Sequence, residues 1–527
     1  MTGDLIPLST AHQRKKKRNK TAQTPEGAAE GTEAAARKDR HKHILVIGGG
    51  IAGLAAAIRF RREGWHDFLV LERGDDVGGT WRDNTYPGAA CDVPSHLYSF
   101  SFALNPGWSR SFSSQREIQA YLTRTAQRYR VRDKHVFGCE VLRARWIEEQ
   151  AVWEVETSRG TFTSDILVGA FGALCEPSRP ALPGIDDFAG DLFHSARWDH
   201  TADLTGKRVA VVGTGASAIQ IVPAIAPRVA GLQVYQRTAP WVMPRLDRRY
   251  STLERLACRY VPFYQRLVRS GIYWAHEAQA VALAKRPALM KPVGVLARAW
   301  LRRQVPDPLL RRRLTPDYEV GCKRILLSNT YHRTFRQRHV ELVVSGISEV
   351  REKSIVTADG VERDVDAIVM ATGFQVTDSP TYRRLFGKDG RSLGEVFDEV
   401  GRQSYKGTAI ANFPNMFMLV GPNTGLGHNS MIFMIESQVN YLADAITTMK
   451  RLRLRSVEVR EPAQRSFSED LQRKLSRTIW NIGGCASWYM DKHGANTTIW
   501  PGFSYRFRQI TRRFDLDAYH VSTRGPE

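Results

Sequence analysis

Three glycines follow the first strongly apolar run of the chain. They occur in Gly48-Gly-Gly50-Ile-Ala-Gly53, after the run Ile44–Ile47, and Glu72 lies nineteen residues beyond Gly53. In this pattern Gly48 permits a tight turn, Gly50 lets backbone N–H groups approach a pyrophosphate, and Gly53 allows a helix to pack closely on a strand. Glu72 would accept hydrogen bonds from a ribose. We therefore predict a dinucleotide site that holds FAD, and a glycine-rich turn without a ligand is the alternative.

A second pattern of the same kind is Gly213-Thr214-Gly215-Ala-Ser-Ala218, after the apolar run 208–212. The next apolar run is followed by Arg237 and Thr238, where an NAD-binding protein would have an acidic residue. A guanidinium group pairs bidentately with phosphate, so Arg237 favours the 2′-phosphate of NADPH; an unrelated surface cation is the alternative. Two nucleotide sites without a C-x-x-C pair predict hydride transfer from nicotinamide to flavin and then reaction with O₂.

The elements that must position these glycines are two β-α-β units. Each pattern lies between an apolar run of strand length and a helical stretch, and each helical stretch is followed by a further apolar run, 68–71 and 232–235. Such runs are typical of strands buried in a parallel sheet. The predicted fold class is α/β, with two dinucleotide-binding Rossmann-type domains and a helical insertion in the NADPH domain.

We predict that the domains are assembled from separated stretches of the chain. Six prolines between 262 and 316 would break the insertion into short helices. The apolar run 366–370 is expected to return the chain to the first domain. The predicted segments are a disordered basic tail at 1–42, the FAD-binding domain at 43–182 and 367–515, the latter with a C-terminal loop, and the NADPH-binding domain at 183–366, with the insertion at about 245–319.

Positive charge is concentrated in two segments of the chain, whose formal net charge is +22. Residues 1–43 carry ten Lys and Arg against five Asp and Glu, and residues 245–313 carry sixteen against four. A solvated face is the common explanation of such blocks. Aromatic residues among the arginines of the insertion make peripheral membrane contact the better alternative, and no nucleic acid is expected as a partner.

The cysteines and the apolar segments restrict the class of protein. The six cysteines include no C-x-x-C pair, which argues against a disulfide scaffold, a metal site and a dithiol centre, and favours reduced, buried thiols. The longest apolar stretch, Ile44–Ile58, contains four glycines and follows a long polar segment. It fits neither a membrane span nor a signal peptide, so a soluble, cytoplasmic protein is expected.

Two further patterns resemble a known family. Phe188, Gly190, His194, Trp198 and Asp199 match F-x-G-x-x-x-H-x-x-x-W-[P/D], a signature of type I Baeyer-Villiger monooxygenases. The pattern G-x-W-x-x-x-x-Y-P-G-x-x-x-D of the same family is also met. The resemblance spans about residues 43–505 and includes the Ala-Thr-Gly segment 371–373. The residues that match the second pattern are Gly79, Trp81, Tyr86, Pro87, Gly88 and Asp92.

The resemblance implies roles for individual residues. Arg324 would stabilise a flavin C4a-peroxide and Asp92 would orient it, whereas a plain structural ion pair is the alternative. Lys323 would be a second contact to the 2′-phosphate, and the segment containing Gly79, Trp81 and Asp92 would contribute to cofactor binding. Three residues would take part in gating, with ordinary core packing as the alternative: His194, Trp198 and, in a C-terminal loop that closes on the site, Trp488.

The function implied by the resemblance is an NADPH-dependent flavoprotein monooxygenase that inserts one oxygen atom next to a carbonyl, converting ketones to esters or lactones. Oxygenation of sulfur or nitrogen in small molecules is the closest alternative. An NADPH oxidase or reductase would need neither Arg324 nor Asp92, and a non-catalytic flavoprotein would bind nucleic acid or membrane through its basic segments. The expected partners are a small ketone or heteroatom substrate and O₂, with no metal.

Overall fold

The computed structural model describes residues 40–523, so the tail predicted to be disordered lies outside the described residues except at its last three positions. Strands and helices alternate along most of this part. The strands are β1 His41–Ile47, β2 Phe68–Leu71, β3 His135–Val136, β4 Val141–Ile147, β5 Val152–Thr157, β6 Gly160–Gly169, β7 Asp191–His194, β8 Arg208–Val212, β9 Gly231–Tyr235, β10 Val242–Met243, β11 Leu326–Leu327, β12 Val340–Val343, β13 Ile347–Val350, β14 Ser354–Thr357, β15 Glu362–Asp364, β16 Ala367–Met370, β17 Leu385–Phe386, β18 Met416–Met418, β19 Leu454–Val459 and β20 Tyr519–Thr523.

The helices cover both sheets and form the insertion. They are α1 Ile51–Arg62, α2 Thr80–Asp83, α3 Gln115–Arg128, α4 Ala218–Ile225, α5 Thr252–Tyr260, α6 Tyr264–Ala280, α7 Met290–Gln304, α8 Pro308–Arg313, α9 Tyr331–Thr334, α10 Leu393–Val400, α11 Met431–Arg451, α12 Glu461–Leu475, α13 Ile479–Ile482 and α14 Ser504–Ile510.

The first large sheet has the strand order β17-β4-β5-β6-β1-β2-β3, and β18 pairs with β6. Strands β1, β2 and β3 are parallel, and β4, β5 and β6 are antiparallel. Helix α1 packs against α11. The contact is close because the buried residues of α1 include Ala52, Ala55, Ala56 and Ala57. The glycines before α1 therefore lie at the carboxyl end of a central strand, where parallel sheets bind ligands.

The second sheet is entirely parallel, in the order β12-β9-β8-β16-β7. Its central strand β8 is followed by the second glycine pattern. The expectation that the run 366–370 returns to the first domain is wrong for β16, because Ala367–Met370 lies between β8 and β7 of the second sheet. The chain joins the first sheet only at β17, which pairs with β4, and continues past the predicted end at 515 to β20, which pairs with β19.

The insertion consists of α5, α6, a short π-helix at Val281–Lys285, α7 and α8. Ser251 and Glu254 cap α5 reciprocally, and Pro262 follows the end of this helix. Pro292 does not break a helix as predicted, since it lies in the first turn of α7, where a missing N–H group leaves no hydrogen bond unmade. The predicted α/β class with two Rossmann-type units and a helical insertion is confirmed.

Two cysteines predicted to be reduced form a disulfide. Cys322, just after the insertion, is bonded to Cys485, 163 residues later, with their Cα atoms 6.1 Å apart. The other four cysteines are free and buried or partly buried, as predicted. A pairing over this separation leaves no local pattern in a sequence.

Candidate active site

A cavity of about 320 Å³ lies at the carboxyl end of β1. Seven of the residues predicted to form the site line it, and they come from the glycine pattern, the end of β2, the start of α2, the segment after the insertion and the C-terminal loop. They are Gly48, Gly50, Glu72, Gly79, Trp81, Arg324 and Trp488. Positions separated by more than 400 residues in the chain therefore share one cavity.

Gly48 makes the turn that opens this cavity. Its φ angle is +106°, which side chains rarely adopt, and a Cβ atom there would lie 2.6 Å from the carbonyl oxygen of Ala170. Gly213 makes the same turn after β8, with φ at +116°, and a Cβ atom at this position would lie 2.4 Å from the oxygen of Ala371. The same glycine turn with a positive φ angle therefore occurs in both β-α-β units, as the two sequence patterns predict.

The Glu72 carboxylate is buried and already has several donors. Its oxygens accept hydrogen bonds from Gly49 N and Gly74 N, each at 2.7 Å, and from the Arg82 guanidinium at 2.7 Å. A carboxylate has about four acceptor sites, so one direction remains for a ribose hydroxyl. Glu72 therefore positions the glycine turn through Gly49 as well as facing the cavity.

Trp81 is held in the cavity wall by a hydrogen bond from its indole N–H to the Tyr98 hydroxyl, at 2.9 Å. The two rings meet edge to face, with centroids 5.6 Å apart. Gln115 also donates to the carbonyl oxygen of Trp81. The ring is therefore fixed before any ligand arrives.

Arg324 and Asp92 form a bidentate ion pair at the wall of the cavity. The Nε and one terminal nitrogen of Arg324 donate to the two carboxylate oxygens, both at 2.7 Å, and both side chains are partly buried. The Asp92 charge raises the pKa of Arg324. Burial alone would raise the pKa of Asp92, but the charge and hydrogen bonds of Arg324 outweigh it and lower that pKa. The cation is permanently charged and fixed in orientation.

The two side chains after β9 approach the second glycine turn. The Thr214 hydroxyl donates to the carbonyl oxygen of Thr238 at 2.9 Å, which ties the turn to the end of the strand. Arg237 is exposed. Burial, and then repulsion from Arg237, lower the pKa of Lys323, whose ammonium lies 4.8 Å from the centre of the Tyr318 ring. Two cations are thus held close together, an arrangement that suits a phosphate dianion.

His194 ends β7 in the buried interior. Its Nδ1 accepts a hydrogen bond from Ala196 N at 3.1 Å, and its ring packs edge to face on Phe374. Burial lowers the pKa of His194 to about 4, so the ring is neutral near pH 7. Trp198 packs edge to face on Phe193, with ring centroids 5.0 Å apart. Both residues lie where the chain enters the second sheet, His194 at the end of β7 and Trp198 in the connection from β7 to β8.

Two further findings concern residues 40–523 as a whole. This part contains no cluster of three or more His, Cys, Asp or Glu side chains that could bind a metal ion. Nor does it contain a helix whose length and apolar character would let it cross a bilayer.

The comparisons with known proteins agree with one another. Residues 45–287 match the family model for pyridine nucleotide-disulphide oxidoreductases. A Baeyer-Villiger monooxygenase from Streptomyces coelicolor is 51% identical over 487 residues, which cover 92% of this chain and 94% of the relative. A Baeyer-Villiger monooxygenase from Pseudomonas aeruginosa is 48% identical, with 93% of each chain covered. The chain belongs to the Baeyer-Villiger monooxygenase family.

The fold of this monooxygenase is similar to that of a crystal structure of OTEMO complexed with FAD and NADP. The TM-score is 0.83 at 28% sequence identity, and the match covers 91% of this chain and 99% of the other. The predicted family and the predicted class of enzyme are confirmed.

The structure of this monooxygenase also reveals site residues that the motifs did not indicate. Arg245 donates to the carbonyl oxygen of Cys91 at 3.0 Å, next to Asp92, so a second guanidinium braces the segment that carries the carboxylate. Tyr489 is buried in the cavity wall, and burial raises its pKa to about 12. These residues lie in loops, which have no periodic pattern of apolar residues. The only signal in the sequence is that Arg and Tyr residues occur near the motifs.

Two buried polar atoms of this monooxygenase, in residues that line the same cavity, have no hydrogen-bond partner among the described residues. They are the Nε of Arg402 and the hydroxyl oxygen of Thr498, both in residues that line the cavity. An unsatisfied buried polar group costs about 1–3 kcal/mol. A ligand that offers both an acceptor and a donor would remove that cost, so the cavity fits a large polar cofactor such as FAD.

Proposed function

We propose that this monooxygenase binds FAD and NADPH and uses O₂ to insert one oxygen atom next to the carbonyl group of a small ketone. NADPH and one proton are consumed, the product is an ester or lactone, and the second oxygen atom leaves as water. The observation that carries the proposal is the Asp92–Arg324 pair, in which Arg324 lines the cavity at the first glycine turn and donates two hydrogen bonds to Asp92. An oxidase or reductase would have no use for a fixed cation there.

The first glycine turn would hold the FAD pyrophosphate, with Glu72 near its ribose and Trp81 in the wall. FAD, when bound, supplies the two-electron reduction of O₂ and the transfer of one oxygen atom. The partnerless Arg402 Nε and Thr498 hydroxyl would complete their hydrogen bonding on this cofactor. Helix α1 starts directly after Gly50, so its free N–H groups face the same place.

The second glycine turn would hold NADPH. Gly213, Thr214 and Gly215 form the turn, and the cations of Arg237 and Lys323, with Thr238 beside them, would bind the 2′-phosphate. Burial, and then repulsion from Arg237, lower the pKa of Lys323, and a bound phosphate would offset that repulsion. NADH lacks this group, so the pair favours NADPH.

Arg324 would stabilise the negative charge that develops on oxygen during the reaction. An arginine is suited to this task because its guanidinium does not lose its proton in a partly buried site. Asp92 accepts from two of its nitrogens and leaves the remaining N–H groups to point elsewhere. Asp92 is thus a positioning group for the cation.

His194, Trp198 and Trp488 would gate the reaction. His194 ends β7 and Trp198 lies between β7 and β8, two strands of the second sheet. Trp488 is 47% exposed at the rim of the cavity, edge to face with Tyr489. A movement of the connection from β7 to β8 on NADPH binding could be transmitted to the rim, as in other enzymes with closing loops. The proposed FAD-binding domain is residues 43–182 together with the chain after β16, and the NADPH-binding domain lies between them.

The test is turnover of the purified yellow protein and its Arg324→Ala variant with NADPH on a panel of ketones and sulfides. Products are identified by mass spectrometry, and hydrogen peroxide is measured in parallel. Wild type should form esters or lactones, and Arg324→Ala should form them about 100-fold more slowly while it still oxidises NADPH. Arg473→Ala, which removes a surface arginine with a 77% exposed side chain, is the matched control.

Each alternative has its own outcome in this experiment. Sulfoxides without esters would replace the ketone proposal with heteroatom oxygenation. Hydrogen peroxide as the only product across the whole panel, from wild type and variant alike, would establish an oxidase and overturn the proposal.

We also propose that the insertion contacts an anionic membrane surface. Helices α5 and α6 and the turn between them present large apolar side chains to solvent: Leu253 is 78% exposed, Tyr260 68%, Phe263 74% and Leu267 71%. Side chains this exposed do not cover a substrate pocket. Phe263 has a φ angle of +61°, an unfavourable conformation for a bulky residue, and it holds the ring at the apex of the turn.

Arginines surround these apolar side chains. Five that are exposed lie between positions 248 and 266, and the one acidic residue of that segment, Glu254, is ion-paired with Arg248. Near an acidic bilayer each such cation contributes about 1 kcal/mol, and burial of one large apolar side chain contributes about 1.5–3 kcal/mol. Nucleic acid would attract the arginines but would not account for the apolar side chains. The arginines are Arg248, Arg249, Arg255, Arg259 and Arg266.

Vesicle flotation tests this surface. Wild type should float with vesicles of phosphatidylserine and phosphatidylcholine at low salt and not with phosphatidylcholine alone, and the double substitution Phe263→Ser, Leu267→Ser should abolish flotation. Leu309→Ser, at a 66% exposed apolar residue of α8, should not. Absence of wild-type flotation would refute the proposal, and retained binding of the double variant would indicate a purely electrostatic partner such as nucleic acid. The cytoplasmic location stays a prediction, which cell fractionation can check.

A further inference from the structure

We infer that the Cys322–Cys485 disulfide keeps Trp488 and Tyr489 closed over Arg324, and that its reduction to two thiols uncouples NADPH oxidation from oxygenation. The inference rests on the proposed function. It concerns two positioning residues, since neither sulfur atom is among the groups that line the cavity.

The disulfide joins the two segments that matter for the cavity. Cys322 immediately precedes Lys323 and Arg324, and Cys485 lies three residues before Trp488. Arg324, Trp488 and Tyr489 all line the cavity. The disulfide therefore limits how far the aromatic rim of the cavity, formed by Trp488 and Tyr489, can move from Arg324.

Few other contacts hold the stretch between α13 and Tyr489 in place. Glu319 N donates to the carbonyl oxygen of Gly483 at 3.0 Å, and Thr497 N donates to that of Tyr489 at 3.2 Å. The sequence between them, Gly-Gly-Cys-Ala-Ser-Trp, has two glycines and no regular secondary structure. Glycines lose the most backbone freedom on ordering, so the stretch depends strongly on a covalent anchor.

The two cysteines of the disulfide differ in exposure, and Cys485 is the one that a reductant would reach. Cys322 is 1% exposed, whereas Cys485 is only partly buried and lies between the exposed residues Gly484 and Ala486. The thiolate of a dithiol reductant would attack the sulfur of Cys485, and Cys322 would leave as a thiolate and take up a proton. The second thiol of the reductant then releases Cys485, so the reductant ends as a disulfide and the enzyme as two thiols.

The reverse step needs a two-electron oxidant, and hydrogen peroxide has the required chemistry: two thiols and one peroxide give the disulfide and two molecules of water. Disulfides that occur in reducing compartments are usually catalytic or redox-sensing. Hydrogen peroxide released by the reduced enzyme would therefore re-form the disulfide and return Trp488 and Tyr489 to their closed position.

The experiment uses the FAD-loaded full chain, oxidised or reduced with dithiothreitol, and mass spectrometry after thiol alkylation verifies each state. The ratio of oxygenated product to NADPH consumed should fall about twofold or more on reduction, the loss expected if the freed rim is closed half of the time. Peroxide release should rise by the same amount, and the anaerobic rate of flavin reduction should not change. Cys322→Ser and Cys485→Ser should behave as the reduced enzyme does, and Cys258→Ser, at a free cysteine of α5, as wild type.

Hydrogen exchange of residues 483–490 provides a readout that does not depend on oxygenation. It should increase on reduction of wild type and not on treatment of the Cys322→Ser variant. If no substrate is oxygenated but exchange responds, the proposed function fails and the rim contact stands. Unchanged exchange and unchanged coupling in the verified reduced enzyme would overturn the inference, as would two free thiols in the enzyme isolated under oxidising conditions.

Discussion

Replacement of Asp92 by Asn tests whether the carboxylate orients Arg324 for catalysis or only balances its charge. The substitution keeps the size of the side chain and removes its charge. In the folded enzyme two hydrogen bonds of 2.7 Å join these groups, and their side chains are 27% and 35% exposed. Two unit charges about 4 Å apart interact by about 4 kcal/mol at an effective dielectric constant of about 20.

Both side chains are partly exposed, so solvent screens the pair and weakens this interaction energy. We take roughly half of the energy, about 2 kcal/mol. If that energy fixes the guanidinium in its productive orientation, oxygenation by Asp92→Asn should fall about 30-fold, since 1.4 kcal/mol corresponds to a factor of ten. Anaerobic reduction of the flavin by NADPH should change little, because the pair is not part of the second glycine turn. Unproductive NADPH oxidation should therefore dominate.

The assay combines stopped-flow measurement of flavin reduction with quantification of product and hydrogen peroxide per NADPH. Asp470→Asn is the matched control, since Asp470 forms ion pairs with Arg473 and Lys474 on the surface of α12. An oxygenation rate within about threefold of wild type would refute the orienting role. An equal loss of flavin reduction and oxygenation would instead indicate a disturbed fold.

Three further predictions concern other parts of the molecule. Arg237→Ala should raise KM for NADPH about tenfold and leave KM for NADH unchanged, because one charge-assisted hydrogen bond to phosphate is lost; equal effects on both coenzymes would contradict the 2′-phosphate site. Gly48→Ala should yield protein without FAD, measured by its visible spectrum, because the added methyl meets the Ala170 oxygen. Burial lowers the pKa of His332 to about 4, below its unfolded value of about 6.5, so its contribution to stability is complete above pH 6.5 and is lost as pH falls toward 4. His332→Phe should therefore flatten the decline of the melting temperature over that range, and a decline as steep as in wild type would exclude this residue as its source.

The local patterns predict most of the fold because each glycine turn needs its own strand, helix and acid or cation nearby in the sequence. Strands β1, β2, β8 and β9 are short apolar runs, and both turns adopt the expected positive φ angle. Strand β16 is different. Its four residues are apolar and fully buried, which fits either sheet, and only pairing with β8 and β7 decides between them. That information is not local.

The residues of the candidate site also differ in whether the sequence alone could predict them. Asp92 and Arg324 could be proposed from a family resemblance, although 232 residues separate them and no periodicity connects them. Arg245, Tyr489 and Arg402 lie in loops, where position depends on tertiary packing and leaves no periodic pattern. The Cys322–Cys485 bond was missed for the same reason.

The adjacent residues Lys323 and Arg324 have a consequence for redesign of this enzyme. The Lys323 ammonium lies over the Tyr318 ring, where Arg237 repels it, whereas the Arg324 guanidinium lines the first cavity and is paired with Asp92. The residue proposed to help select NADPH and the residue proposed to stabilise charge on oxygen are therefore neighbours in the chain. An attempt to change the preference from NADPH to NADH by replacing Lys323 would also disturb its neighbour. Arg237, which follows strand β9 in a separate part of the chain, is the safer position for that purpose.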